Sequence, residues 1–139
     1  MTTALYTASA AATGDGRNGH VQTTDGQLDL DVRVPKEMGG AGGATNPEQL
    51  FAAGYAACFH SALKVVAGRA KADATDTEVV ADVSILPNDE GGFVLAVQLE
   101  VTVPNVDQDT ARELVEQAHQ VCPYSNATRG NIEVTLTVV

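Results

Sequence analysis

The chain has 139 residues, enough for one domain with a core of its own. Its 8 Lys and Arg stand against 18 Asp and Glu, a formal net charge of −10, which argues against a nucleic-acid backbone or an anionic membrane surface as partner. The N-terminal MTTALYTASA has neither the basic region nor the long apolar run of a secretory signal, so the expected compartment is the cytoplasm. There structural disulfides are rare, and two cysteines are catalytic, redox-active or simply buried.

Residues 3–11 read as a weak strand, and Gly14-Asp15-Gly16 turns the chain. Residues 17–24 form a second strand, Asp25-Gly26 is a hairpin signal, and residues 28–34 form a third strand ended by Pro35. In that third strand Leu28, Leu30, Val32 and Val34 share one face, with Asp29, Asp31 and Arg33 on the other. The GGAGG run at 39–43 reads as a flexible loop.

Residues 46–68, NPEQLFAAGYAACFHSALKVVAG, predict one long helix, or two with a bend near Gly54. Asn46 suits the N-cap, Pro47 the first helical position and Gln49 the capping box. No charge falls between Glu48 and Lys64, and Leu50, Phe51, Tyr55, Ala57, Phe59, Leu63 and Val66 lie on every side. A helix apolar all round is a buried helix. The run reads as too short, and too interrupted by Gln49, His60 and Ser61, for a membrane span.

Beyond it, residues 79–86 and 93–103 alternate apolar with polar around PNDEGG, an antiparallel hairpin with one wet face. Asp107 and Asp109 open a second helix with the stripe Ala111, Leu114, Val115, Ala118 and Val121, stopped by Pro123 near Cys122. A last strand carries Ile132, Val134, Leu136 and Val138 on one face. The order strands, helix, strands, helix, strand predicts a single α+β domain over residues 1–139, with antiparallel sheets packed around the long central helix. One small sheet covers only one side of such a helix, so a homodimer that buries the central helices between sheets is expected.

Several patterns suggest chemistry. Residues 14–19 match G-x-G-x-x-G, but the strand His20-Val21-Gln22-Thr23 follows where dinucleotide binding needs a helix. GGAGG precedes a helix but lacks the Lys-Ser/Thr of a P-loop. Cys58 and Cys122 are compatible with two buried apolar cysteines. With His60 and His119 they have the elements of a zinc site, but Cys58 and His60, two apart on a helix, point away from each other. Thiol redox chemistry would make several residues a unit. Burial of Cys58 raises its pKa, a nearby Arg such as Arg17 lowers it by a similar amount, and a carboxylate such as Glu48 can grip that Arg in a bidentate pair. A second cysteine can then trap a sulfenic acid as a disulfide. By position alone, Glu48 equally complements the helix dipole and Arg17 is a surface charge.

The segments TNPEQLFAAGYAACF and VCPYSNATRGN, with GRNGHV and the DG hairpin followed by LDL, resemble the organic hydroperoxide resistance (Ohr) branch of the Ohr/OsmC family over essentially the whole chain. His60 after CF, and Ala44 in place of a glycine, depart from its pattern. The resemblance implies an intertwined homodimer and a thiol-dependent peroxidase that reduces alkyl and fatty-acid hydroperoxides to alcohols, with no cofactor or metal. By it Cys58 matches the peroxidatic cysteine, Cys122 the resolving one, Arg17 the activating arginine and Glu48 the carboxylate that positions it. A lipoylated protein would supply the reducing dihydrolipoyl dithiol. Phe51, Tyr55 and Phe59 are the candidates to line a site for an alkyl tail. The alternative is a non-enzymatic binder of a small hydrophobic ligand, its buried cysteines inert.

Overall fold

The computed structural model describes residues 2–139, which gather into two compact units, one up to residue 50 and one over residues 51–139.

In the first unit, β1 (Ala10–Asp15), β2 (Asn18–Thr23) and β3 (Asp29–Asp31) form an antiparallel sheet in that order. The first strand begins seven residues later than the sequence suggests, and residues 3–9 are not strand. Asp15 pairs with Asn18, so Gly16 and Arg17 form the two-residue turn. Gly16 has φ +61° and Arg17 is not in the positive-φ region, the signature of a II′ hairpin turn. A Cβ on Gly19 would meet the Thr13 carbonyl oxygen at 2.2 Å, so the strands pack too closely there for any side chain. The G-x-G-x-x-G pattern is thus hairpin chemistry, and no helix follows it.

The third strand is shorter than its alternation predicts. Leu28 and Leu30 stay exposed and only Val32 is buried, bridged to Thr45. A 3-10 turn at Lys36–Met38 follows, and the GGAGG segment is tied down rather than loose, with the Gly42 N–H donating to the Val34 carbonyl.

α1 (Pro47–Arg69) is one continuous helix. Asn46 caps it as expected, its Oδ1 accepting from the Gln49 N–H at 2.9 Å. At 23 residues, about 35 Å at helical rise, it has the length and composition of a membrane span, so shortness is no argument against one. Its inner stripe is instead committed to a core. Tyr55, Phe59, Ala62, Leu63, Val66 and Ala67 are buried, spaced i, i+4, i+7, i+8. Burial all round is not what the single chain shows: Ala53, Ala57, Ser61, Lys64 and Val65 are exposed.

In the second unit, β4 (Glu78–Pro87), β5 (Phe93–Thr102) and β6 (Glu133–Val138) form one sheet in the order β4-β5-β6. β4 and β5 pair antiparallel as expected, but β6 runs parallel to β5, so the sheet is mixed. The physical reason is the connection: parallel neighbours need a crossover of a dozen or more residues, and α2 (Gln108–Val121) with α3 (Pro123–Thr128) provides it. Phe59, Leu63, Leu99, Val101, Val115 and Cys122 pack in its core. Each large apolar side chain there contributes roughly 1.5–3 kcal/mol of transfer free energy.

Candidate active site

Asp107 caps α2 by accepting from the Thr110 N–H at 2.7 Å, and the stripe Ala111, Leu114, Val115 and Ala118 seats the helix on the core, leaving Val121 exposed. Cys122 then leaves helical geometry with ψ 122°, as a residue before proline must. Pro123 stops α2, and it also opens α3, because its fixed φ and missing N–H suit a first helical position.

This corner brings the two cysteines together. Cys122 is fully buried, Cys58 on α1 is half-buried, both are free thiols, and Cys122 Sγ donates to Cys58 Sγ at 3.4 Å. Burial pushes the Cys58 thiol above its usual range, the backbone N–H of Tyr124 pulls it back, and the adjoining Cys122 raises it again. That amide is among the first N–H groups of α3, which no helical carbonyl satisfies. Burial outweighs the pull of the Tyr124 amide.

Phe51, Tyr55 and Tyr124 form an aromatic cluster with ring centroids 5.6–6.0 Å apart. Tyr55 and Phe59 are fully buried, so in the single chain they act as core, while Phe51 is half-buried. Gly54 explains how the Tyr124 ring approaches α1: a Cβ there would stand 2.7 Å from the Tyr124 hydroxyl. The glycine makes room for a ring, and the helix runs on through it without a break.

In the first unit, Arg17 at the hairpin tip meets Glu48 in the first turn of α1. Arg17 Nη1 donates to Oε1 at 2.7 Å and to Oε2 at 2.9 Å. The carboxylate grips the guanidinium with both oxygens, through a single nitrogen. Arg17 Nε and Nη2 donate to no acceptor among the described residues.

The two histidines of the zinc reading bond elsewhere, His60 Nε2 to Thr77 Oγ1 and His119 Nδ1 to Ser125 Oγ, both at 2.8 Å. Among the described residues no three His, Cys, Asp or Glu side chains are placed to share a metal ion.

Sequence reasoning missed a buried polar group beside the cysteines. Ser125 Oγ lies 2.7 Å from Tyr55 Oη and 2.8 Å from His119 Nδ1, and Thr128 Oγ1 is 3.0 Å from the same Tyr55 hydroxyl. The available signal was Pro123, which starts a helix as readily as it stops one.

The OsmC-like protein family profile matches residues 40–137. The chain is similar to the organic hydroperoxide resistance protein of Xanthomonas axonopodis pv. citri, 54% identical over 136 residues, covering 96% of this chain and 94% of that protein. It is 47% identical over 134 residues to the organic hydroperoxide resistance protein OhrB of Bacillus subtilis, covering 96% and 97%. Among solved structures, an organic hydroperoxide resistance protein from Legionella pneumophila superposes with a TM-score of 0.94 at 55% identity, covering 98% of both chains.

Proposed function

The chain belongs to the organic hydroperoxide resistance branch of the OsmC-like family, and from that premise we propose that it is a thiol-dependent peroxidase that reduces alkyl and fatty-acid hydroperoxides. The Cys58 thiolate attacks the distal peroxide oxygen, the alcohol leaves with a proton, and Cys58 becomes a sulfenic acid. The Cys122 thiol condenses with it, forming the S–S bond and releasing water. A dihydrolipoyl dithiol, carried by a lipoylated protein, reduces the disulfide and restores both thiols. This chemistry calls for no metal or organic cofactor.

The observation that carries the reading is the contact of two reduced thiols at 3.4 Å, one half-buried and one fully buried. The first is within reach of a substrate, and the second is kept for its neighbour. Because burial raises the Cys58 pKa, the thiolate needs a cation. We assign that task to Arg17, which also polarises the peroxide, with Glu48 fixing the guanidinium and leaving its other N–H groups to act. Phe51, which is half-buried, is the proposed apolar contact for the alkyl tail, with Tyr55 and Phe59 packed behind it as core. The protein works in the cytoplasm, where thiols stay reduced. A homodimer accounts for the apolar surface that one chain leaves open at Val65, Val80, Leu86, Phe93 and Val94.

The test is intact-mass analysis with thiol counting after one equivalent of cumene hydroperoxide is added to the reduced protein. Loss of two thiols per chain and of two hydrogens in mass is expected. Two thiols still free beside unspent peroxide would overturn the proposal and favour a non-enzymatic binder of hydrophobic ligands.

A further inference from the structure

Resting on the peroxidase reading, we infer that Ser125, anchored between Tyr55 and His119, is a positioning residue for the disulfide-forming step. The contacts place it there. Three of the four positions from 122 to 125, around the α3 start, address Cys58 or hold those that do: Cys122 through its sulfur at 3.4 Å, Tyr124 through its backbone N–H, and Ser125 through its hydroxyl on α1 and α2. Ser125 Oγ is the point at which all three helices are pinned. Tyr55 belongs to α1 three residues before Cys58, and His119 to α2 three residues before Cys122. The hydroxyl therefore sits between the helical turns that carry the two sulfurs.

The group is polar where the core is otherwise apolar. Tyr55 and Ser125 have no exposed surface, and no buried side-chain N or O atom among the described residues lacks a partner. A buried hydrogen-bonded network imposes one geometry on the elements it joins, since any slip leaves a donor or acceptor unmatched. Donors and acceptors balance in both ionisation states of His119. With neutral His119, Ser125 donates to Nδ1 and Tyr55 donates to Ser125. With protonated His119, Nδ1–H donates to Ser125, Ser125 to Tyr55, and Tyr55 to Thr128, whose own hydroxyl donates to the Ser125 carbonyl. The pin holds in either state, so it acts on geometry.

That geometry matters for one step only. Peroxide attack uses the Cys58 sulfur and not that of Cys122. Closure needs Cys122 Sγ to travel from 3.4 Å to a bonded distance of about 2.05 Å, in line with the S–O bond that breaks. The thiol proton leaves with the sulfenic oxygen as water. A loosened α3 start leaves the first step intact and delays the second, so the exposed sulfenic acid meets a second peroxide and becomes sulfinic acid.

The experiment compares wild type with Ser125→Ala in single-turnover stopped flow with cumene hydroperoxide. It follows peroxide consumption and disulfide closure separately, traps sulfenic acid with dimedone, and reads masses after excess peroxide. We expect unchanged first-turnover consumption and closure slowed about tenfold, the kinetic equivalent of one lost neutral hydrogen bond. A dimedone adduct and a gain of two oxygens at Cys58 should appear with it. If Ser125→Ala does not fold, His119→Ala removes the same anchor from its half-exposed end and gives the same readout. Closure at the wild-type rate, or consumption and closure falling together, overturns the inference while the peroxidase reading stands. A wild-type protein that leaves the peroxide unspent overturns that reading instead.

Discussion

The two halves of the candidate machinery are built on opposite physical principles. The first unit holds Arg17 and Glu48 as an ion pair between a hairpin tip and a helix start, with 39% of the Arg17 side chain exposed. The second holds Cys58 and Cys122 inside a packed corner, with Cys122 at zero exposure. The histidines repeat the contrast. His20 is held between Asp31 and Asp29, whose hydrogen bonds raise its pKa. His119 is lowered by burial first and by Arg129 second, against an opposing pull from Glu116. Charge placed where solvent reaches it is adjustable and screened, whereas polar groups in a core are fixed by packing.

The contrast can be broken most severely at the sulfurs. Cys58→Ser should abolish hydroperoxide turnover in an assay with dihydrolipoamide as reductant, while Cys122→Ser should consume about one equivalent of peroxide and stop. Arg17→Ala should lower kcat/KM by roughly a hundredfold or more, the scale of losing a preorganised electrostatic donor. Arg17→Lys can keep the Glu48 contact, which uses one nitrogen. It should nevertheless recover little activity, because a lysine lacks the remaining guanidinium donors. Recovery to near wild type would reduce Arg17 to a point charge.

Gly54→Ala sharpens the comparison from the packing side. Helix propensity favours alanine by about 1 kcal/mol. Yet the new Cβ would stand 2.7 Å from the Tyr124 hydroxyl, so we expect net destabilisation of about 1–2 kcal/mol in urea melts, and less in the Gly54→Ala/Tyr124→Phe double variant. Additive effects would show that the two positions do not touch.

The smallest effects are electrostatic. NMR titration should place His20 above and His119 below the ordinary histidine value near 6.5. A raised folded-state pKa means that the His20 contribution is fully present below about pH 6.5 and fades as pH rises through the folded value. His119 has the opposite sign: folding is undisturbed above about pH 6.5 and loses stability as pH falls through the lowered value. His20→Gln should remove the first dependence and leave the second.

Much of this was legible in the sequence, for identifiable reasons. Asn46, Pro47 and Asp107 announce helix starts because capping is a local contact, satisfied within four residues. The strands of the β4–β5 hairpin follow from alternation with period two. Other features were misread because a local pattern has more than one tertiary solution. Pro123 both ended α2 and began α3, and nothing nearby distinguishes these outcomes. The alternation at Leu28 and Leu30 reports which side chains share a face, and only a covering layer makes that face a core, which these two lack.

The sequence alone determined the family, the identity of the paired cysteines, the capped central helix and the α+β class, since each is written in local pattern or in long specific motifs. Only the tertiary structure decided that β6 runs parallel to β5 and that Gly54 accommodates a tyrosine ring. It also decided that burial outweighs the Tyr124 amide at Cys58, and that Ser125 pins three helices beside the sulfurs. Each of these depends on which distant residues share a volume of a few ångströms, and the spacing of residues along a chain does not specify that.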